Sequence, residues 1–463
     1  MVANKISEKT LPVSDHLITF CQFIVKTDLK DIPPHVIDHA RLVLIDTIGV
    51  IIAGAGNKEI KKIAKRMAAS GPLGQGATCP GRSESFDPFH AALINGMAGS
   101  TSEYEEGHSK AMGHPAIQIV PAMLADCESK DLSGDLLLKG FIIGYEVACR
   151  ISRASSIRKG LHPTGSWGVI GSALGVGSLH QKDPESLCQI ANIASSYAIS
   201  SYVKNSFVGQ NVSCTFAGLA NLTGLIANLF FETGIRADSD SLKMTFSRFV
   251  SDEFKPGILD EALGKKYEIT ENYFKPYPTC RFTHPALEAL KTIIQNIKID
   301  PKEVSHIEVI SFKAAVHAGS GAPANLEALR FSIPYLIAVM LIRGEINSNT
   351  LTEDLVQMAE IAELAEKVKM VYSSDYEQLR PEKYPARVTL TLFDGRQLSH
   401  EIMDCLGDTL NPLSRQEIHN KFISLASPVV GQSKSELFLE KLVDLENQKH
   451  VRPIINILRV NKI

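Results

Sequence analysis

Between Asn272 and His284 the chain gathers Lys275, Arg281 and His284 among Pro276, Pro278, Phe274 and Tyr277. Each proline fixes its own φ and pushes the residue before it toward extended geometry, so Lys275 and Tyr277 are expected in a rigid loop, outside any helix. A lysine in such a loop is aimed, and burial against Phe274 or Tyr277 would lower its pKa toward that of a usable base. Arg281 offers a planar fork that grips a carboxylate with two parallel hydrogen bonds. A second cluster runs Ser102-Glu103-Tyr104-Glu105-Glu106-Gly107-His108 and closes with Gly113-His114-Pro115, where one helix ends and the next begins. Its carboxylates and imidazoles suit a solvated turn, a metal site or acid–base chemistry, and the spacing matches no strong metal motif such as His-Glu-x-x-His. His162, in Gly160-Leu-His-Pro-Thr164, is a third candidate, because histidine is the natural proton shuttle near neutral pH.

Brought into one cleft, these groups suit a small anionic carboxylate. Removing a proton from the carbon beside a carboxylate builds charge on the carboxylate oxygens, which calls for fixed positive charge and hydrogen-bond donors there. The Gly-rich run Gly165 to Gly177 lacks the preceding strand and the following Gly-Lys-Ser/Thr of a phosphate loop, so it reads as a place where helices approach closely.

The elements that must position these residues are mostly helical. From Ser14 to about Gly234 the pattern is one of amphipathic, short-looped helices: Ser14-Asp15 can cap a helix through Lys26, and Pro33-Pro34 open another. Further segments cover Pro88 to Ser102, Ala116 to Ser129, Gly134 to Ser155, Gly165 to His180, Pro184 to Ser200 and Thr215 to Thr233. After about Glu271 the character changes. Val304 to Phe312 alternates as a half-buried strand, and Val388 to Phe393 followed by Asp394-Gly395 predicts a hairpin. Helices are expected between them at Leu326 to Leu341 and Thr352 to Val368, and again at Ser414 to Ala426 and Lys434 to Leu445. The fold class is therefore mainly α: a large all-helical domain, 1–269 plus 401–463, with an inserted smaller α+β lid domain, 270–400.

Composition narrows the function classes. With 463 residues, 44% of them hydrophobic, the chain can bury a large core and exceeds one ordinary domain. A net charge of −3 with both signs interspersed leaves no basic face for nucleic acid and no polybasic membrane patch. Eight cysteines without a CxxC pair suggest neither a zinc knuckle nor a disulfide scaffold. The first residues lack the apolar core of a secretion signal, and the greasiest run, Val43 to Gly56, carries Asp46 and is too short to span a bilayer. A cytoplasmic protein is expected.

In order along the chain, several short motifs resemble the MmgE/PrpD family, whose members include 2-methylcitrate dehydratase, cis-aconitate decarboxylase and iminodisuccinate epimerase. They are Asp46-Thr-Ile-Gly-Val50, Asn95-Gly96, the acidic segment ending His114-Pro115, Gly144-Tyr-Glu146 with Arg150, His162, Lys275-Pro-Tyr-Pro278 with Cys280-Arg281 and His284, Phe331-Ser-Ile-Pro-Tyr335, Asp394-Gly395 and Asn411-Pro412. The resemblance implies a homodimer with no cofactor and no metal, a helical domain built from both chain ends, and an active site beneath the lid. It places catalytic histidines at His114 and His162 and a loop lysine at Lys275. Three departures stand out. Glu103-Tyr-Glu-Glu-Gly107 replaces an Asp-Phe-Asp-Asp-Thr segment, and a second lysine of the decarboxylase falls near Ser213, with its later tyrosine near His317.

The reading that follows is a cofactor-independent epimerase of a small dicarboxylate, of the iminodisuccinate type. Lys275 and one of His108, His114 or His162 would be its bases, and Arg281, Glu103, Tyr277, His284 and His317 its substrate contacts. The alternatives for such a small di- or tricarboxylate substrate are a lyase of the same family, a 2-methylcitrate-type dehydratase or a cis-aconitate-type decarboxylase; beside these stand a carboxylate-binding protein without turnover and a metal-dependent hydrolase.

Overall fold

The computed structural model describes residues 15–68, 76–198, 201–297, 299–319 and 321–460. Ser14, expected as a helix cap, and the last residues of the segment expected to end at Ser200 lie outside these. Helices dominate up to residue 250 and after 414, and the one sizeable sheet lies between them. Pro33-Pro34 open α1 (Pro34–Gly54) with a proline in its first turn, where the missing N–H costs nothing. α2 (Pro88–Gly99) starts the same way, with the Asp87 carboxylate accepting from the Phe89 and His90 N–H groups.

Near the middle of the chain, α3 (Gly134–Ala154) and α4 (Gly168–Leu179) cross backbone to backbone. A Cβ on Gly171 would lie 2.7 Å from the Gly144 carbonyl oxygen and 2.7 Å from Ala148 Cβ, so the Gly-rich run does serve close helix approach. The loop joining these two helices carries His162. α5 (Thr215–Glu232) packs on both α2 and α4. Asn211–Glu232 is the one stretch among the described residues long and apolar enough to cross a membrane, and 56% of it is buried inside the protein.

The sheet follows a short ladder in which β1 (Gly107–His108) pairs with β2 (Asn272–Tyr273). Its strands are β3 (Val304–Ser311), β4 (Val368–Tyr372), β5 (Ala386–Leu392) and β6 (Gln397–Ile402), in the order β6-β5-β3-β4. β5 runs antiparallel to both neighbours and turns into β6 at Asp394-Gly395, where Gly395 takes φ +88. β4 lies parallel to β3 and corrects the sequence reading, which ran a helix from Thr352 to Val368. That helix covers only Ala359–Glu366; Val368–Tyr372 is too short and too exposed for alternation to betray a strand. The helix expected over 326–341 is broken by Ser332 and Pro334 into Leu326–Leu329 and Ile333–Arg343.

Two large apolar cores result among the described residues. One joins residues from Leu17 to Phe274 with residues from Ile418 to Leu458, because α6 (Arg415–Val430) returns to lie along α1. Ser414 starts α6 with a reciprocal cap, its hydroxyl accepting from the Glu417 N–H while the Glu417 carboxylate accepts from the Ser414 N–H. The other core runs from Tyr277 to Leu392.

The α3–α4 crossing yields a stability prediction of definite sign. Glycine to alanine inside a helix ordinarily stabilises by up to about 1 kcal/mol. Gly171→Ala should instead destabilise by about 1–3 kcal/mol through overpacking, read as a lower midpoint in chemical denaturation. An unchanged or raised midpoint would show that the two backbones are not in contact.

Candidate active site

The cavity between the two cores has a volume of about 290 Å³ and takes its walls from the acidic loop, the His162 loop, the 273–282 segment, Phe331 and Tyr384. The β1–β2 ladder joins the acidic loop to the segment carrying Lys275, and it depends on Gly107. A Cβ there would sit 2.3 Å from the Tyr273 hydroxyl. Gly107 is the residue that admits the tyrosine ring.

Lys275 has no exposed surface. Its Nζ donates to the Glu103 carbonyl at 2.8 Å and to Glu103 Oε2 at 3.2 Å, and lies 3.6 Å from Glu105 Oε2. Burial alone would lower its pKa, but Glu105 and Glu103 reverse the sign and hold it above the ordinary lysine value. The expectation of a lysine tuned downward into a base is therefore corrected: Lys275 stands behind the two carboxylates as an ammonium. Burial would likewise raise Glu103, yet Lys275 and His114 keep it below the usual carboxylate range. Glu103 holds φ +51, a left-handed backbone that is strained for this residue type.

His114 and His162 have opposite tautomers, assigned from their hydrogen bonds. His114 Nδ1 lies 2.7 Å from the Glu106 carbonyl oxygen, an acceptor, so Nδ1 carries a proton and, in the neutral ring, Nε2 keeps its lone pair. That bare nitrogen is 4.0 Å from Glu105 Oε1. His162 Nδ1 instead accepts from the Thr164 N–H at 3.1 Å, which leaves the proton on Nε2. Burial pushes the His162 pKa down to about 4 against the pull of Glu103, so it is neutral at physiological pH. Buried Gln118 ties the two loops together, its Nε2 donating to the His114 carbonyl and its Oε1 accepting from the Gly165 N–H. Beneath His114, burial pushes Glu106 up to about 8 although the Ala116 N–H and the Tyr145 hydroxyl donate to it.

His108 reaches the cavity wall, but neither of its nitrogens offers a free lone pair. Nδ1 accepts from the Ala111 N–H at 3.0 Å, which leaves the proton on Nε2, and Nε2 faces Glu268 Oε2 at 3.3 Å without a well-aligned hydrogen bond. It has no free lone pair to act as a base. Arg281 lines the cavity between the rings of Tyr273 and Tyr384, each centred 5.0 Å from the guanidinium carbon. Its Nη2 reaches both Asp408 oxygens at 2.5 Å and its Nη1 points to Cys405 Sγ at 3.4 Å, so the nitrogens expected to grip a substrate carboxylate are engaged by Asp408 and Cys405 instead.

Three expected substrate contacts lie outside the cavity lining. The Tyr277 hydroxyl donates to Glu288 at 2.9 Å, which turns the ring into the second core. His284 is buried edge-on against Tyr277 with Nε2 donating to the Thr279 carbonyl. His317 is exposed at the end of a short helix, its Nδ1 bonded to the Lys313 carbonyl. Glu103 and Ser213 do line the cavity.

Glu103, Glu105 and His114 present ligand atoms within 4.8 Å of one another, close enough to share a cation, and the cation the fold places against both carboxylates is Lys275. Several groups here escaped the sequence reading. Gln118 and Tyr384 sit in ordinary helical and coil contexts, and Tyr273 in a two-residue strand, none of which carries a signal. Asp46 and Lys421 had one: each is a charge on an otherwise apolar helix face, and such a charge needs a partner.

Residues 18–257 match the model of the MmgE/PrpD N-terminal domain, and residues 277–446 that of the MmgE/PrpD C-terminal domain. Among curated proteins, the chain is 23% identical to a cis-aconitate decarboxylase of Aspergillus terreus over 467 residues, covering 95% of this chain and 94% of that protein. It is 23% identical to the Mus musculus cis-aconitate decarboxylase over 435 residues, 89% of this chain and 87% of that protein. The Homo sapiens cis-aconitate decarboxylase is 22% identical over 447 residues, covering 92% and 90% respectively. With both family domains matched in order over most of its length, the chain belongs to the MmgE/PrpD family.

Proposed function

We propose that this protein is a cofactor-independent enzyme that removes a proton from the carbon beside a carboxylate of a small di- or tricarboxylate and returns one there. The first reading is an epimerase of an iminodisuccinate-type dicarboxylate. The observation that carries it is the opposite tautomers of His114 and His162 at one cavity: a bare nitrogen and an N–H in the same space. His114 Nε2 takes the proton, and Glu105, 4.0 Å away, stabilises the imidazolium that forms. The His162 Nε2–H and the flank of Arg281 meet the charge that develops on the substrate carboxylate. Lys275 acts as an acid. Its proton reaches the cavity through the Glu103 carboxylate, 3.2 Å from Nζ.

The second reading is a lyase, favoured by the names of the relatives. The same base and acid would serve if carbon dioxide or hydroxide left from the neighbouring carbon. The epimerase stands first because the resemblance puts Ser213 near the decarboxylase's second lysine, and Ser213 is on the cavity wall. A carboxylate-binding protein without turnover is third, and the fit of Tyr273 against Gly107 speaks for a maintained loop rather than a decayed one.

The two cores support a helical domain, 1–269 plus 401–463, and a lid domain, 270–400. Two copies would pair through the exposed Met112, Tyr202, Val208 and Val212 near the cavity mouth. The eight unpaired cysteines fit a reducing compartment, in keeping with a cytoplasmic enzyme.

Proton NMR of a panel of chiral dicarboxylates in D₂O is expected to show deuterium entering the α position of at least one compound, with inversion at that carbon. Turnover without α-deuterium sinks the epimerase, and carbon dioxide release or a new alkene absorbance with it selects the lyase. His114→Ala and Lys275→Ala should each lower kcat by about 10²- to 10⁴-fold; retention within a factor of two removes the residue from the mechanism.

A pH test addresses His162. Its folded pKa is about 4, below the ordinary value of an unfolded histidine, so between about 6.5 and 4 the unfolded chain binds a proton there that the folded one does not. That contribution to stability is complete above pH 6.5 and disappears as the pH falls to 4. Denaturation midpoints should therefore fall more steeply over this window in the unsubstituted protein than in His162→Gln. Equal slopes would mean the imidazole is not held neutral.

A further inference from the structure

Lys421 lies in α6, and no chemical role in the site has so far fallen to it. It is 8% exposed, and its ammonium has three hydrogens to place. Nζ lies 2.7 Å from Asp46 Oδ1 in α1, 2.9 Å from the Tyr104 carbonyl oxygen and 3.0 Å from the Lys275 carbonyl oxygen. The Tyr104 ring covers it, with its centroid 3.9 Å away, and the Tyr104 hydroxyl reaches over to the Pro276 carbonyl. Tyr104 is the residue between Glu103 and Glu105, and Lys275 is the residue those carboxylates hold. One buried ammonium thus grips the main chain of both segments at the point where their side chains meet. Asp46, 1% exposed, anchors it to the helical core.

We propose that Lys421 is a positioning residue of the proton-transfer site: with Asp46 behind it, it fixes the separation between the Lys275 amine and the Glu103 and Glu105 carboxylates. The two carbonyls it binds belong to loop residues outside any helix or strand, so their placement rests on bonds of this kind. Stability alone would not call for the pair, since a buried ion pair can often be replaced by apolar residues of similar volume at no loss. The inference rests on the proposed chemistry only for its effect on rate, and the test separates the two.

With ¹⁵N-lysine-labelled protein, the buried Lys275 ammonium should give a slowly exchanging Nζ resonance, assigned by its disappearance in Lys275→Ala. In Lys421→Met that resonance should shift or broaden away. Asp46→Asn keeps the lysine but loosens its anchor, and should shift the resonance in the same direction, which keeps the test open if Lys421→Met does not fold. Phe422→Leu is the control. It weakens the adjacent packing against Phe438 and Gly49 without touching the three-way contact, and should leave the Lys275 resonance in place. A folded Lys421→Met with an unmoved Lys275 resonance overturns the proposal, as does Phe422→Leu moving it equally. On whichever panel compound is turned over, Lys421→Met should lower kcat by about 10²-fold with little change in KM, the size of effect expected from a misplaced group. If every compound proves inert, the proposed function fails while the resonance still decides the role of Lys421.

Discussion

Keeping Lys275 charged where no water reaches it is the constraint on which the rest of the site depends. Taking an ammonium out of water costs several kcal/mol even after the surroundings relax, so the protein must supply close anions and acceptors of its own. Glu103 gives both a carboxylate and a carbonyl, and Glu105 gives a second carboxylate. Those groups belong to a loop more than 160 residues away in sequence, which explains the other features nearby. The β1–β2 ladder aligns the two segments, Gly107 makes room for Tyr273, and Glu103 accepts a left-handed backbone to turn its carboxylate inward. Strain of this kind persists only where the surroundings over-determine the conformation.

Much of the fold was legible in local pattern. The alternation of Val304 to Phe312, the Asp394-Gly395 turn and the prolines that open α1 each encode their element through short-range sterics, and each appears where expected. The Gly-rich run was legible for the same reason: a residue without a side chain permits backbone contact wherever a second helix also provides it. Strand Val368–Tyr372 and the break at Ser332 were not, because a mostly exposed edge strand and a kink before a proline depend on what packs beside them.

At the site, residue types were read better than their states. His114, His162, Glu103 and Arg281 all reach one cavity. His284 and Tyr277 come from the same Lys275-containing stretch and turn away, since a rigid loop fixes where its main chain goes but alternates the direction of its side chains. His317 was carried over from the family resemblance alone, and its exposed helix puts it out of reach. The sign of the Lys275 shift was missed because burial was weighed without its counter-charges; two carboxylates from a distant loop outweigh desolvation, and no local window contains them both. Likewise, Asp46 was read as part of a family motif and as a mark against a membrane span but not as half of an ion pair, although a carboxylate among apolar neighbours requires a cation from elsewhere in the fold.

The protonation of both histidines is dictated by main-chain atoms: a carbonyl at Glu106 for one, an amide at Thr164 for the other. Peptide groups are the same whatever side chain is attached to them. The walls of the hollow can therefore be rewritten by mutation, reshaping which acid is admitted, while donor and acceptor keep their assignments. A lineage built this way can wander across substrates without having to reinvent how it handles hydrogen.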